Sequence, residues 1–153
     1  MLETPHVVVG AAIATKIGNP FLAIPLAFGS HFLLERVPHW NPHLNTELKK
    51  YGKPTKQSTM LVIVDVILSL TFGLSIASKV LPDLGHAATV VAACFFSVLP
   101  DIMEGPYYFL NKRNKLIEKW INFQKSIQAD TSLIPGLLTQ LATIFTAIWW
   151  ISI

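Results

Sequence analysis

The chain alternates apolar stretches with polar ones rich in proline and lysine, and the lengths of the apolar stretches set the first expectation. The run from His6 to Ile17 is apolar but shorter than the ~20 residues a helix needs to cross a bilayer. Thr4 and Pro5 before it suit an N-cap and a first helical position. Gly18, Asn19 and Pro20 break this run. A second one continues from Phe21 to about Val37, where Pro38 should end it. The pair reads as a short or re-entrant helical hairpin.

Residues 59–81 and 133–153 read as full spans, the second with Trp149 and Trp150 as interfacial anchors. Residues 86–110 read as a further helix that Pro100 and Pro106 kink or break. The connections are a polar loop at 38–58 with a short helix near 44–50, a tight turn at 82–85, and a basic segment at 111–132. Within that segment, residues 114–128 suit an interfacial helix with Trp120 and Phe123 on its apolar side. The expected fold is therefore all-α. It is a single membrane-embedded domain over residues 1–153, an integral membrane bundle of about four to five helices without an internal repeat.

Composition agrees with a lipid environment. Charged residues make up only 14% of the chain and apolar ones 52%, where a soluble domain carries about 25% charged residues. Mean hydropathy is +0.49. The net charge of +3 does not point to nucleic acid, because the basic residues gather in the two polar connections. Arg36, Lys49, Lys50, Lys53 and Lys56 lie in or beside the first, and Lys112, Arg113, Lys115, Lys119 and Lys125 in the second. The positive-inside rule places both in the cytoplasm and the 82–85 turn outside. The first six residues lack the basic region of a signal peptide, so none is expected. Cys94, the single cysteine, lies in an apolar run and reads as an inert buried thiol.

Against this background the ionisable residues inside or beside apolar helices carry the candidate chemistry. They are His6, His31 with Glu35, His39, Asp65, and Asp101 with Glu104. A charge at membrane depth costs about 2.5–3.5 kcal/mol on insertion scales, so such groups face a bundle interior and find partners. Asp65 lies about 8 Å into its helix at a rise of 1.5 Å per residue. With the first two helices paired, all of these groups fall in one layer at the cytoplasmic end, whereas Asp83 and His86 fall at the other end. His31 and Glu35 are spaced i,i+4 and Asp101 and Glu104 i,i+3, so each pair shares a helix face. Imidazole with carboxylate suits zinc, with manganese or iron as alternatives, and several carboxylates permit a two-metal centre.

Each residue also has a structural reading. His6 suits a helix cap or interfacial position, and His31 with Glu35 a surface pair. Asp65 suits an ion pair with Arg36 or Lys56. Asp101 and Glu104 suit an N-cap and a capping box after Pro100. His43 reads as solvated, and Gln140 as an interhelical hydrogen-bonding group. Zincin, nucleophile-elbow and phosphate-loop signatures are absent.

ThrProHis at 4–6, the stretch SerHisPheLeuLeuGluArgValProHisTrp at 30–40 and LeuProAspIleMetGlu at 99–104 together resemble the YdjM-like group of small bacterial inner-membrane proteins, described as metal-dependent hydrolases. The His-x3-carboxylate pair is also similar to that of zinc-dependent phospholipase C and P1 nuclease proteins. The resemblance implies His6, His31, Glu35, His39, Asp101 and Glu104 as metal ligands. Glu35 stands where the group carries Asp, and the further ProAspXxxAspHis and HisArgXxxxThrHis motifs of its longer members are missing.

The resulting expectation is a metal-dependent hydrolase in the bacterial inner membrane, acting on a phosphoester or a lipid at the cytoplasmic face. Asp65 joins the ligands on the physical argument, and Asp65 or Glu104 serves as the catalytic base. Two other readings use the same residues. One is a transporter of protons or metal, and the other is a membrane scaffold whose acidic groups pair with Arg36 and the lysines.

Overall fold

A computed structural model describes residues 1–153. The chain folds into eight helices: α1 Glu3–Ile17, α2 Pro20–Leu34, α3 Leu44–Tyr51, α4 Lys56–Ser78, α5 Leu84–Ile102, α6 Gly105–Phe109, α7 Lys115–Ile127 and α8 Leu133–Ser152. Three of them, α4, α5 and α8, are long and apolar enough to cross a membrane. With 15 residues each, α1 and α2 reach only about 22 Å at 1.5 Å per residue. That is short of the ~30 Å hydrocarbon layer.

Local sequence explains most of the boundaries. Asn19 accepts from Phe21 N ahead of Pro20, Asp83 from His86 N, and Asn114 from Leu116 N and Ile117 N. Each side-chain oxygen fills a helix N-terminus that has no intrahelical acceptor. The 82–85 turn thus doubles as the cap of α5. α4 begins at Lys56, earlier than the apolar pattern suggests. Thr55 caps it, and Glu47 of α3 accepts from Thr55 N (2.7 Å) and from Ser58 Oγ (2.7 Å). The expected helix over 86–110 divides into α5 and α6 at Met103–Glu104. Pro100 itself stays inside α5.

α1 is the central element, packed by α2, α4, α5 and α8. Its residues are small or β-branched, and Val8, Ala11, Ala12 and Ala14 are fully buried beside Val90 and Ala93 of α5 and Ala23 and Ala27 of α2. A Cβ on Gly10 would stand 2.8 Å from Ser97 Cβ and 2.9 Å from the Ala93 carbonyl, so only glycine lets α1 and α5 approach this closely. The outward faces of α4 and α8 stay apolar; Ile67 is 57% and Phe145 67% exposed. Contiguous exposed apolar surface of this kind belongs in lipid or against a partner.

The two polar connections meet at one end of the bundle. His39 N donates to the Ala129 carbonyl (3.0 Å), Thr131 N to the His39 carbonyl (2.9 Å) and Ala129 N to the Glu35 carbonyl (2.9 Å). The next residue, Trp40, crosses α8 where Gly136 has no side chain to obstruct its backbone. At the opposite end, His86 Nε2 donates to the Ala14 carbonyl (3.0 Å), placing the α1–α2 and α4–α5 turns together.

Candidate metal centre

The end formed by the polar connections also gathers the ionisable residues. α1 presents His6, α2 presents His31, and α5 presents Asp101 near its last turn. One ligand atom from each of these three lies within 4.8 Å of the others, close enough to hold a metal ion. Both histidines are fully buried, and their rings stack with centroids 4.2 Å apart.

Hydrogen-bond partners fix which nitrogen of each ring is free. His6 Nε2 lies 3.2 Å from Glu35 Oε1. The carboxylate accepts only, so Nε2 carries the proton and Nδ1 the lone pair. That buried Nδ1 has no partner. His31 Nδ1 donates to the Ser97 carbonyl (2.9 Å), and His39 Nδ1 to the Val37 carbonyl (2.7 Å). In both rings Nε2 is left as the electron-pair donor when the imidazole is neutral. Metal-binding histidines characteristically commit their other N–H to a carbonyl or carboxylate in this way.

The surroundings of His31 Nε2 are short of donors. Gln124 Oε1 stands 3.0 Å from it and Asp101 Oδ1 3.7 Å, and both are acceptors. The Gln124 amide is oriented by its NH2 group, which donates to Asp101 Oδ1 (3.0 Å) and Glu104 Oε1 (3.1 Å). Turning the amide over would supply Nε2 with a donor but set the amide oxygen against two carboxylates. A proton on the ring or a cation among these atoms resolves the conflict.

Glu35 extends the cluster. Besides His6 it contacts the Met1 amine, and its Oε2 lies 3.6 Å from His39 Nε2. His39 Nε2 also accepts from Gln128 Nε2 at 3.2 Å. Burial would raise the Glu35 carboxyl, but the His6 hydrogen bond and the Met1 amine outweigh it and hold the group below the usual carboxylate range. Burial lowers His39, favouring its neutral, ligating form. Burial, and then the charge of Asp101, push the Glu104 carboxyl up to about 7. Glu104 therefore sits where a carboxyl can exchange a proton near neutrality.

Asp65 takes a different position in the arrangement. Its carboxylate accepts from Glu3 N (2.5 Å), Thr4 N (3.2 Å) and Thr4 Oγ1 (2.6 Å). Leu2, the residue before α1, offers no side-chain cap. Asp65 supplies that cap from α4, facing the positive end of the α1 dipole.

Several participants escape the spacing argument. Glu3 stands three residues before His6, has a buried oxygen without a partner, and lines the same cavity as Asp101 and Glu104. Gln124 of α7 and Gln128, the residue that ends it, reach the carboxylates and His39. Glu3 and His6 share the i,i+3 spacing that singles out Asp101 and Glu104, a signal that a first-turn acid of α1 could have given. Comparison of the chain with models of known protein families, with curated proteins and with solved structures finds no match.

Proposed function

We propose that this protein is a membrane-embedded, metal-dependent hydrolase of phosphoesters, as the resemblance to the YdjM-like group implies. The observation that supports it most is the convergence of His6, His31 and Asp101, with His31 Nε2 facing only acceptors. In this reading α1 and α2 pack with the three spans as a bundle of about five membrane helices in a bacterial inner membrane. The basic connections and the site face the cytoplasm.

His6, His31 and Asp101 bind the ion, and Glu35, His39 and Glu104 complete or support the set. The nitrogen and oxygen donors suit zinc first, then manganese or iron. A bound divalent ion supplies Lewis acidity toward a phosphoryl oxygen and lowers the pKa of water. Glu104 takes a proton from the attacking water as its oxygen bonds to phosphorus. It returns that proton to the ester oxygen that leaves. Gln124 holds the Asp101 and Glu104 carboxylates in register. Asp65 acts by fixing the start of α1, and with it His6.

Elemental mass spectrometry on detergent-purified protein tests the binding step. Stoichiometric zinc, manganese or iron is expected in the parent and little in a folded His31→Ala, Asp101→Ala double variant. Release of nitrophenol from a nitrophenyl phosphodiester should follow the metal content. Absence of metal from both proteins after divalent ions are supplied would leave the cluster as an ion-pair or proton-binding network.

A further inference from the structure

We propose that the substrate is a lipid with a phosphate headgroup, its acyl chain lying in the groove between α4 and α5 and its phosphate at the His6–His31–Asp101 centre. This rests on the reading of that centre as a metal site.

A single cavity of about 660 Å³ runs from the α4–α5 groove to Asp101, the member of the centre that lines it, with His6 and His31 fully buried behind. Its polar end is lined by Glu35, Asp101 and Glu104, with Lys125 available to a phosphate oxygen. Its other end is lined by Leu70 and Leu74 of α4 and by Val91 and Phe95 of α5. These are i,i+4 pairs, so they form two parallel ridges. Between them Gly73 and Cys94 make a floor of small side chains; a Cβ on Gly73 would lie 3.2 Å from Cys94 Sγ. The trough runs from Asp65 to Leu74, about 14 Å at 1.5 Å per residue.

The shape and chemistry favour an amphiphile over a small polar ester. A water-soluble phosphoester would fill the carboxylate end and leave an apolar trough that, beyond Ser69, offers water few hydrogen-bond partners. α4 and α5 are both of spanning length, so the trough opens at bilayer depth. A lipid chain can then enter sideways without passing through water. The headgroup meanwhile stays at the end of the bundle where the polar connections meet.

A monoacyl glycerol phosphate carrying a diazirine at mid-chain, in phosphatidylcholine vesicles with the intact protein, provides the probe. After illumination, crosslinks are expected to concentrate on residues 66–74 and 91–98. The matching monoacyl glycerol, without phosphate, should label there about tenfold less. Leu70→Trp and Val91→Trp each fill the trough from one ridge and should reduce labelling about fivefold while metal content stays at the parent level. Crosslinks spread equally over the lipid-facing residues Leu138 and Phe145 of α8 would overturn the proposal. So would labelling that ignores the phosphate or both tryptophans. Metal present with scattered crosslinks defeats the groove alone. Metal absent with concentrated, phosphate-dependent crosslinks defeats the hydrolase reading and leaves the lipid site standing.

Discussion

Asp65 shows how one residue can combine structure and chemistry. Its three hydrogen bonds hold Glu3 and Thr4 at the start of α1, and His6 follows within the same turn. Asp65→Asn keeps the shape, loses the charge facing the helix dipole and turns one acceptor into a donor. The hydrogen bond lost at one oxygen and the charge lost at the helix dipole together cost about 1–2 kcal/mol, so the thermal midpoint in detergent should fall. Metal content should fall with it, because His6 is no longer held in place. Metal loss at an unchanged midpoint would make Asp65 a direct ligand instead. The apolar neighbours of Asp65 make its importance legible in sequence, but its partner is a backbone end 61 residues away, which no spacing rule encodes. Spacing does mark His31 with Glu35 and Asp101 with Glu104. It passes over Glu3, which resembles an ordinary first-turn acid, and Gln124 and Gln128, which carry no charge to signal burial.

At the scale of elements, hydropathy identifies α4, α5 and α8 because each is long and apolar. It undervalues α1, whose 15 residues look like half a hairpin. Small side chains rather than length give α1 its central place, and glycine and alanine carry too little hydropathy to announce that. Gly10→Ala tests the point. The added methyl meets Ser97 and the Ala93 carbonyl, both on α5. Overpacking of this kind costs about 1–3 kcal/mol. It should also disturb the Ser97 carbonyl that orients His31, lowering metal affinity by about tenfold or more. Gly29→Ala on α2 meets nothing within 4 Å and serves as the contrast. It should be neutral or stabilise by about 0.5–1 kcal/mol. Thermal unfolding and metal titration of the two variants check both expectations. The α5–α7 contact offers a second test. Trp120 Nε1 donates to the Pro100 carbonyl (3.0 Å), which lies too near the end of α5 for an intrahelical partner. Trp120→Phe strands that carbonyl and should cost about 1–2 kcal/mol, read as a lower thermal midpoint.

For the whole molecule the decisive property is polarity between the two ends of the bundle. One end holds the candidate metal centre, the 38–55 and 110–132 connections and ten of the twelve basic residues. The other holds the turns joined through His86 and Ala14. On the proposed reading a bilayer around α4, α5 and α8 separates these ends, and the charge bias predicts that the basic end faces the cytoplasm. Single cysteines at Asn45, Asn114 and Asp83, each in a Cys94→Ser background, should therefore fall into two classes toward a membrane-impermeant maleimide. In intact bacterial cells expressing the protein, position 83 should label while 45 and 114 stay protected. Permeabilised cells should label all three. Protection of 83 with labelling of 45 and 114 would invert the protein and put the carboxylates outside, where a cytoplasmic substrate cannot reach them. Equal labelling of all three in intact cells would mean that the helices do not span. The exposed apolar faces of α4 and α8 would then need a protein partner rather than lipid, and the lateral route into the α4–α5 trough would be lost with the bilayer.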